Sequence, residues 1–178
     1  MIITGLEILK LINKEKLISN YIDARIQVQP AGFDLTLNCI YTVSEYSTGK
    51  LGFLDKELPM RTRFTPPFEL EKGETYILEC NEVVKIPSNV TAFGYSRSSL
   101  ARMGVTLQSP VVDPGYNGSL EFLVKVNVPV HLEVNARFAQ LIFHKHAKTW
   151  SYRGSYGRTL KTSSEDDNFF ERSSFYLI

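Results

Sequence analysis

The stretch EVVKIPSNVTAFGYS, residues 82–96, reads as two strand-like runs split by Pro87-Ser88-Asn89. Val, Ile, Thr, Phe and Tyr favour the pleated, half-buried surface of a sheet. Proline removes a backbone donor, and the Ser-Asn pair supplies turn chemistry. The reading therefore predicts two short strands joined by a turn.

The same grammar extends in both directions. Upstream, FDLTLNCIYTV alternates, and TYILEC follows the turn signal EKGE. Downstream, EFLVKVNVPVHLEV and FAQLIFHKH are further runs of the same kind. Many short strands at close spacing, with little helix, point to an all-β sandwich or closed barrel. Residues 48–67 are loop-rich and read as an excursion on that core. The N-terminus differs: in TGLEILKLINKEKLI, Thr4 precedes Glu7 at capping-box spacing, and Ile8, Leu11, Ile12 and Ile18 recur at helical intervals. From Trp150 onward no period is visible, and the segment reads as a mobile arm whose late aromatics, Phe169, Phe170, Phe175 and Tyr176, dock on something, with a neighbouring subunit as the candidate.

The 178 residues suit one domain, with 1–22 as a helical N-terminal region and 150–178 as a C-terminal arm. Hydrophobic residues make up 43% and charged residues 22%, which excludes a disordered chain. The net charge of +1 gives no global pull towards nucleic acid or membrane. No apolar run approaches the roughly 20 residues of a membrane helix. Two cysteines, Cys39 and Cys80, without CxxC spacing or a secretory signal, fit a reducing cytoplasm. From Arg97 to Lys161 nine Lys/Arg face three Asp/Glu, a local excess that suits a small polyanion better than a long nucleic acid.

Within that basic segment lies GYSRSSLARMGVTLQSPVVDPGYNGSLEF, Gly94 to Phe122. Arg97, Ser98, Ser99 and Arg102 concentrate guanidiniums and hydroxyls, the groups that hold phosphate oxygens. Asp113 sits on the turn VVDPGYNG, where Gly115 and Gly118 allow close backbone approach and Tyr116 offers an aromatic wall. A carboxylate beside a phosphate grip can orient a water or hold Mg²⁺ indirectly. RGSYGR in the tail adds Arg153 and Arg158 between glycines. The residues alone leave an anion site and a plain surface turn both open. A P-loop and the HxE…PCxxC zinc-deaminase pattern are absent, and the HxH of His144 and His146 lacks an evident third ligand.

In order along the chain, AGFDL (31–35), RSSLAR (97–102), VVDPGYNG (111–118), ARFAQLIF (136–143) and, more weakly, YRGSYG (152–157) resemble the five motifs of the trimeric dUTPase and dCTP deaminase superfamily, nearest to its archaeal-type dUTPases. The resemblance implies a mainly β, distorted jelly-roll barrel with an N-terminal helix and a flexible C-terminal arm. It implies a homotrimer whose sites take residues from more than one subunit, acting on dUTP with Mg²⁺ carried mainly by the triphosphate and no direct protein ligand. By resemblance, Arg97, Ser98, Ser99 and Arg102 bind phosphates, and Tyr116 packs on deoxyribose and excludes a 2′-hydroxyl. Gln140 supports the phosphate network, and Arg153 and Arg158 close over the terminal phosphates. Asp113 is the expected water-orienting residue. Asp34 is a second candidate, with a structural role equally open.

The superfamily holds two reactions. In its deaminase branch a glutamate stands ten residues after the motif aspartate. Here that position is Leu123, which cannot transfer a proton, and Glu121 lies two residues short, about 7 Å along a regular strand. Hydrolysis of dUTP to dUMP and pyrophosphate is the expected activity. A dCTP deaminase, alone or bifunctional, is the alternative, and a non-catalytic nucleotide-binding trimer a third.

Overall fold

The computed structural model describes residues 1–154 and Tyr156. Arg158 and the late aromatics of the arm lie outside the described residues. Three helices, α1 (Gly5–Glu15), α2 (Ala24–Gln27) and α3 (Ser98–Arg102), accompany fourteen strands among them. These are β1 (Ile18–Ser19), β2 (Val28–Gln29), β3 (Gly32–Val43), β4 (Lys50–Leu51), β5 (Lys56–Glu57), β6 (Arg61–Phe64) and β7 (Phe68–Leu70) in the first half. The second half holds β8 (Thr75–Lys85), β9 (Val90–Ser96), β10 (Val105–Gln108), β11 (Val111–Val112), β12 (Asn117–Val126), β13 (Val130–Leu132) and β14 (Arg137–Lys145).

The main sheet runs β10-β12-β8-β3-β14-β9-β11, all antiparallel. Strand β3 makes it curl. Its first half pairs with β14 and its second half with β8 and β6. Ladder irregularities at Leu37/Cys39 and Arg137/Ala139 mark the corner, as bulges do where a sheet bends over on itself. The mainly β, curled jelly-roll expectation is met.

The core forms where the two halves of the sheet face each other. Phe122 of β12 meets Phe138 of β14 edge-to-face at 5.5 Å. Both rings are almost fully buried, each worth roughly 1.5–3 kcal/mol of hydrophobic stabilisation. Gly94 makes room for this pair: a Cβ there would lie 2.4 Å from the Phe122 ring. Along β12, Leu120, Phe122, Val124 and Val126 point inward, so the alternation seen in the sequence is the burial pattern.

Three local expectations are revised. Helix α1 buries Ile8 and Ile12 and packs Leu11 against the core, but it ends at Lys16 in the left-handed region. Ile18 therefore belongs to β1, paired with Val84, rather than to the helix. Thr4 occupies the N-cap position without a side-chain cap hydrogen bond. TYILEC and EVVK form one strand, β8. Its polar middle is tolerated because buried Glu82 accepts from Thr36 N (2.9 Å), Thr36 Oγ1 (2.6 Å) and Gln27 Nε2 (2.6 Å). Burial still pushes the Glu82 carboxyl upward, against those donors.

Candidate functional site

Two clusters carry the predicted site residues, and they lie at opposite ends of β9.

The first surrounds Asp34. This carboxylate is 1% exposed and stands opposite Gln140 in the β3–β14 ladder. Its Oδ2 pairs with Arg97 Nε at 3.1 Å and Arg137 Nη1 at 3.2 Å. Gln140 Nε2 reaches Oδ1 at 3.5 Å. Burial raises the Asp34 pKa, and the two guanidiniums pull against that rise. Behind it, Gln27 Nε2 donates to the Asp34 carbonyl at 2.9 Å and to Glu82, locking this part of β3 in place. Arg97 is the N-cap of α3, with its own N–H on the Phe138 carbonyl at 3.1 Å. Ser98, Ser99 and Arg102 follow, all exposed. RSSLAR is thus a short exposed helix on an arginine anchored by a buried carboxylate. Arg137 was missed by the motif reading. It lies in the ARFAQLIF segment, from which only Gln140 was singled out, and within the local basic excess.

The second cluster surrounds Asp113. Strand β11 pairs Val112 with Ala92, which sets exposed Asp113 level with Thr91. Asp113-Pro114-Gly115-Tyr116 closes a turn, with Tyr116 N donating to the Asp113 carbonyl at 3.1 Å and Gly115 at φ 80°. Proline second and a positive-φ glycine third are the type II signature. A Cβ on Gly115 would also lie 2.5 Å from that of Ser151. The glycine serves the turn and the packed start of the arm.

Tyr116 is half-buried, edge-on to Tyr152 at 5.5 Å, and its hydroxyl donates to the Ser119 carbonyl at 2.6 Å. Burial first, then neighbouring Tyr152, push that hydroxyl up to about 12, so it remains a neutral donor. Asp113 opens into a cleft of about 570 Å³ shared with Thr91, His146, Trp150, Tyr152 and Arg153. His146 Nε2 lies 3.0 Å from Thr91 Oγ1 and its Nδ1 lies 2.6 Å from the Ala147 carbonyl, so Nδ1 carries the proton. His144 instead stacks edge-on against Phe93 at 5.4 Å. Among the described residues no three His, Cys, Asp or Glu side chains group as metal ligands.

Six residues of β9 separate the level of Asp113 from Arg97, about 20 Å at strand rise. Within one chain the structure does not bring the carboxylate to the arginine–serine segment.

The position ten residues after Asp113 is also defined. Leu123 is 39% exposed on the outer face of β12. A ladder irregularity does occur beside it, between Ser119 and Glu121, but the extra residues are on β8. Strand β12 keeps its alternation, so Glu121 is not carried to the place of Leu123. Glu121 is engaged by Arg61 at 2.7 Å.

The dCTP deaminase-like family profile matches residues 2–146. The chain belongs to that family. A relative from Archaeoglobus fulgidus, named a probable deoxyuridine 5'-triphosphate nucleotidohydrolase, is 36% identical over 162 residues, covering 87% of this chain and 95% of its own length. The deoxyuridine 5'-triphosphate nucleotidohydrolase of Methanocaldococcus jannaschii is 37% identical over 66% of this chain and 78% of its own. Among solved structures, the dCTP deaminase of Agrobacterium tumefaciens superposes with a TM-score of 0.66 at 20% identity, over 80% of this chain and 46% of that one. A dUTPase of phage phi11 of S. aureus, described with a structural Mg(II) ion, gives 0.51 at 13% identity, over 78% and 95%. At such identities these two likenesses establish the fold. As a dCTP deaminase-like family member, the chain carries a buried Asp34 in AGFDL, an arginine–serine helix and an exposed Asp113. No helix among the described residues is long and apolar enough to cross a membrane.

Proposed function

We propose that this family member hydrolyses dUTP to dUMP and pyrophosphate, with Asp113 orienting the water that attacks the α-phosphorus. The observation carrying this reading is Leu123: an aliphatic side chain stands where deamination needs a proton carrier, while Asp113 is exposed in a cleft. The names of the archaeal relatives support the same choice. The likeness to a dCTP deaminase is one of fold and does not decide the reaction.

In this reading Asp34 does not touch substrate. Shut off from solvent, it holds Arg97 and Arg137 in place, and Arg97, Ser98, Ser99 and Arg102 grip the phosphates. Gln140 steadies the same carboxylate. Arg153 approaches from the cleft side, and Arg158 would join it.

The separation along β9 supports a site completed between copies, with Asp113 and Tyr116 from one chain and the arginine–serine helix from another. A homotrimer provides three such sites. Mg²⁺ fits this donor set as an ion bound chiefly by the triphosphate, because Mg²⁺ keeps several waters and takes few protein carboxylates. Asp113 is the carboxylate of the cleft that would face it, and the ion would neutralise phosphate charge when bound.

The test is incubation with dUTP and with dCTP in the presence of Mg²⁺. Pyrophosphate from dUTP and no ammonia from dCTP is the expected outcome. Ammonia release that disappears in Glu121→Gln would establish the deaminase reading instead. Tight binding of both nucleotides with no product would leave a non-catalytic trimer.

Tyr116 yields a separate expectation. Held by Ser119 and Tyr152, its ring is a rigid wall for the sugar. Tyr116→Ala should relax discrimination against UTP, raising the UTP/dUTP ratio of kcat/KM by about 10-fold or more, as removal of a steric sieve worth ~1–3 kcal/mol does. An unchanged ratio would take the sugar-reading role away from Tyr116.

A further inference from the structure

The excursion between β3 and β6 is ordered yet wet. Lys50 pairs with Glu57 and Leu51 with Lys56 in the β4–β5 ladder, Gly52 N donates to the Asp55 carbonyl at 2.8 Å, and Lys50 Nζ binds Asp55 at 2.8 Å. This defined hairpin holds its apolar side chains out in water. Leu51 is 87% exposed, Phe53 100% and Leu54 93%, with Tyr46, Leu58 and Met60 exposed around them. Apolar surface so concentrated marks an interaction site. The contacts given above for Asp34, Asp113 and Tyr116 involve none of these six residues.

One element of the chain already approaches it. Lys56 Nζ lies 3.7 Å from the centroid of the Tyr156 ring, a cation–π contact that sets the start of the C-terminal arm over β5. Beyond Tyr156 the sequence continues for twenty-two residues, which include Phe169, Phe170, Phe175, Tyr176, Leu177 and Ile178. Glu165, Asp166 and Asp167 precede the Phe pair, and Lys56 and Arg63 are exposed on and beside the hairpin, but Asp55 and Glu57 make residues 50–58 neutral overall, so apolar contact rather than charge carries the docking. Thirteen residues separate Tyr156 from Phe169, a reach of at most about 45 Å, ample for a hairpin that Tyr156 already touches. Tethering also makes the docking step intramolecular, at an effective concentration on the order of millimolar.

We propose that the C-terminal segment 165–178 docks through its aromatic residues on the apolar β4–β5 hairpin of its own chain. The hairpin is then an anchor for the end of the arm, separate from the nucleotide site, and the contact forms whether or not the chain hydrolyses dUTP. The arginines of the arm, Arg153 and Arg158, would be tethered at both ends by it.

The experiment uses the full chain with Phe53→Cys and Phe170→Cys, since Cys39 and Cys80 are buried and do not compete. Assembly from equal amounts of ¹⁴N- and ¹⁵N-labelled protein, mild oxidation and peptide mapping should recover linked peptides that are both light or both heavy. A control with Lys10→Cys, an exposed position on α1, in place of Phe53→Cys should link several-fold less. Equal yields at the two positions, or mixed-isotope pairs approaching half of the total, the random share for links between copies, would overturn the proposal. Amide exchange checks it without a cross-link: in Phe169→Ser/Phe170→Ser, residues 50–58 should exchange about 10-fold faster than in the unmutated chain, as expected when a local opening equilibrium loses its cover. Unchanged exchange would also overturn it.

Discussion

Asp113→Asn is expected to reduce dUTP turnover by about 10²–10⁴-fold, the usual worth of a positioned proton acceptor. Nucleotide affinity should change little. The substitution is nearly isosteric, and the turn that carries it is held by backbone: the Asp113 carbonyl accepts from Tyr116 N, and Gly115 N and Ile86 N make hydrogen bonds to the Ile86 and Tyr116 carbonyls. Asparagine is at home in turns. Among the described residues the exposed carboxylate supports no buried partner, so the melting temperature should also be unchanged. Single-turnover kinetics with an equilibrium binding measurement separates the effects. Full activity in this variant would remove Asp113 from the water-orienting role. A parallel loss of binding would show that its task is to hold substrate or metal.

Asp34→Ala should act in the opposite way, through the fold. It leaves Arg97 and Arg137 beside each other without their shared carboxylate. Removing one side of a buried ion pair costs about 3–5 kcal/mol. The two guanidiniums are 27% and 34% exposed, so water recovers part of that cost and the low end, ~3 kcal/mol, is expected. For a chain of this size that is a fall in Tm of about 6–12 °C, measured at fixed protein concentration because assembly contributes to stability. KM for dUTP should rise with it, since Arg97 loses the contact that aims α3. If Asp34→Ala melts with the unmutated protein but loses kcat alone, Asp34 acts on the reacting atoms and its positioning role is wrong.

Much of the fold was legible because burial follows a two-residue period. Leu120, Phe122, Val124 and Val126 announce β12, and the Pro87-Ser88-Asn89 break announces the turn from β8 to β9. Strand β8 was not legible as one element. Asn81 and Glu82 look like a break, and only Thr36 and Gln27, distant in sequence, make a carboxylate there tolerable. Ile18 kept helical spacing past the end of the helix, because Lys16 reverses the chain in a conformation that its side chain does not advertise.

For the site, residue types were readable and distances were not. Arginine, serine and aspartate declare an affinity for phosphate and water wherever they sit. Arg97 and Asp113 are sixteen residues apart, which limits how far apart they can be but not how near. The chain uses that length to run from one end of β9, through α3 and β10, to the other end. Arg137 escaped notice for a related reason: its role depends on β14 lying beside β3, which brings it to Asp34 across a hundred residues of sequence.

A dUTP-hydrolysing site shared between copies is tested most directly by mixing. Asp113→Asn and Arg102→Glu chains, each inactive alone, are unfolded together, refolded at equal concentration and assayed for pyrophosphate from dUTP. A site that takes Asp113 from one copy and Arg102 from another predicts recovery of about a quarter of the unmutated activity, the random fraction of sites in which both donors are intact. No recovery from well-folded mixed assemblies would place the whole site within one chain and contradict the account.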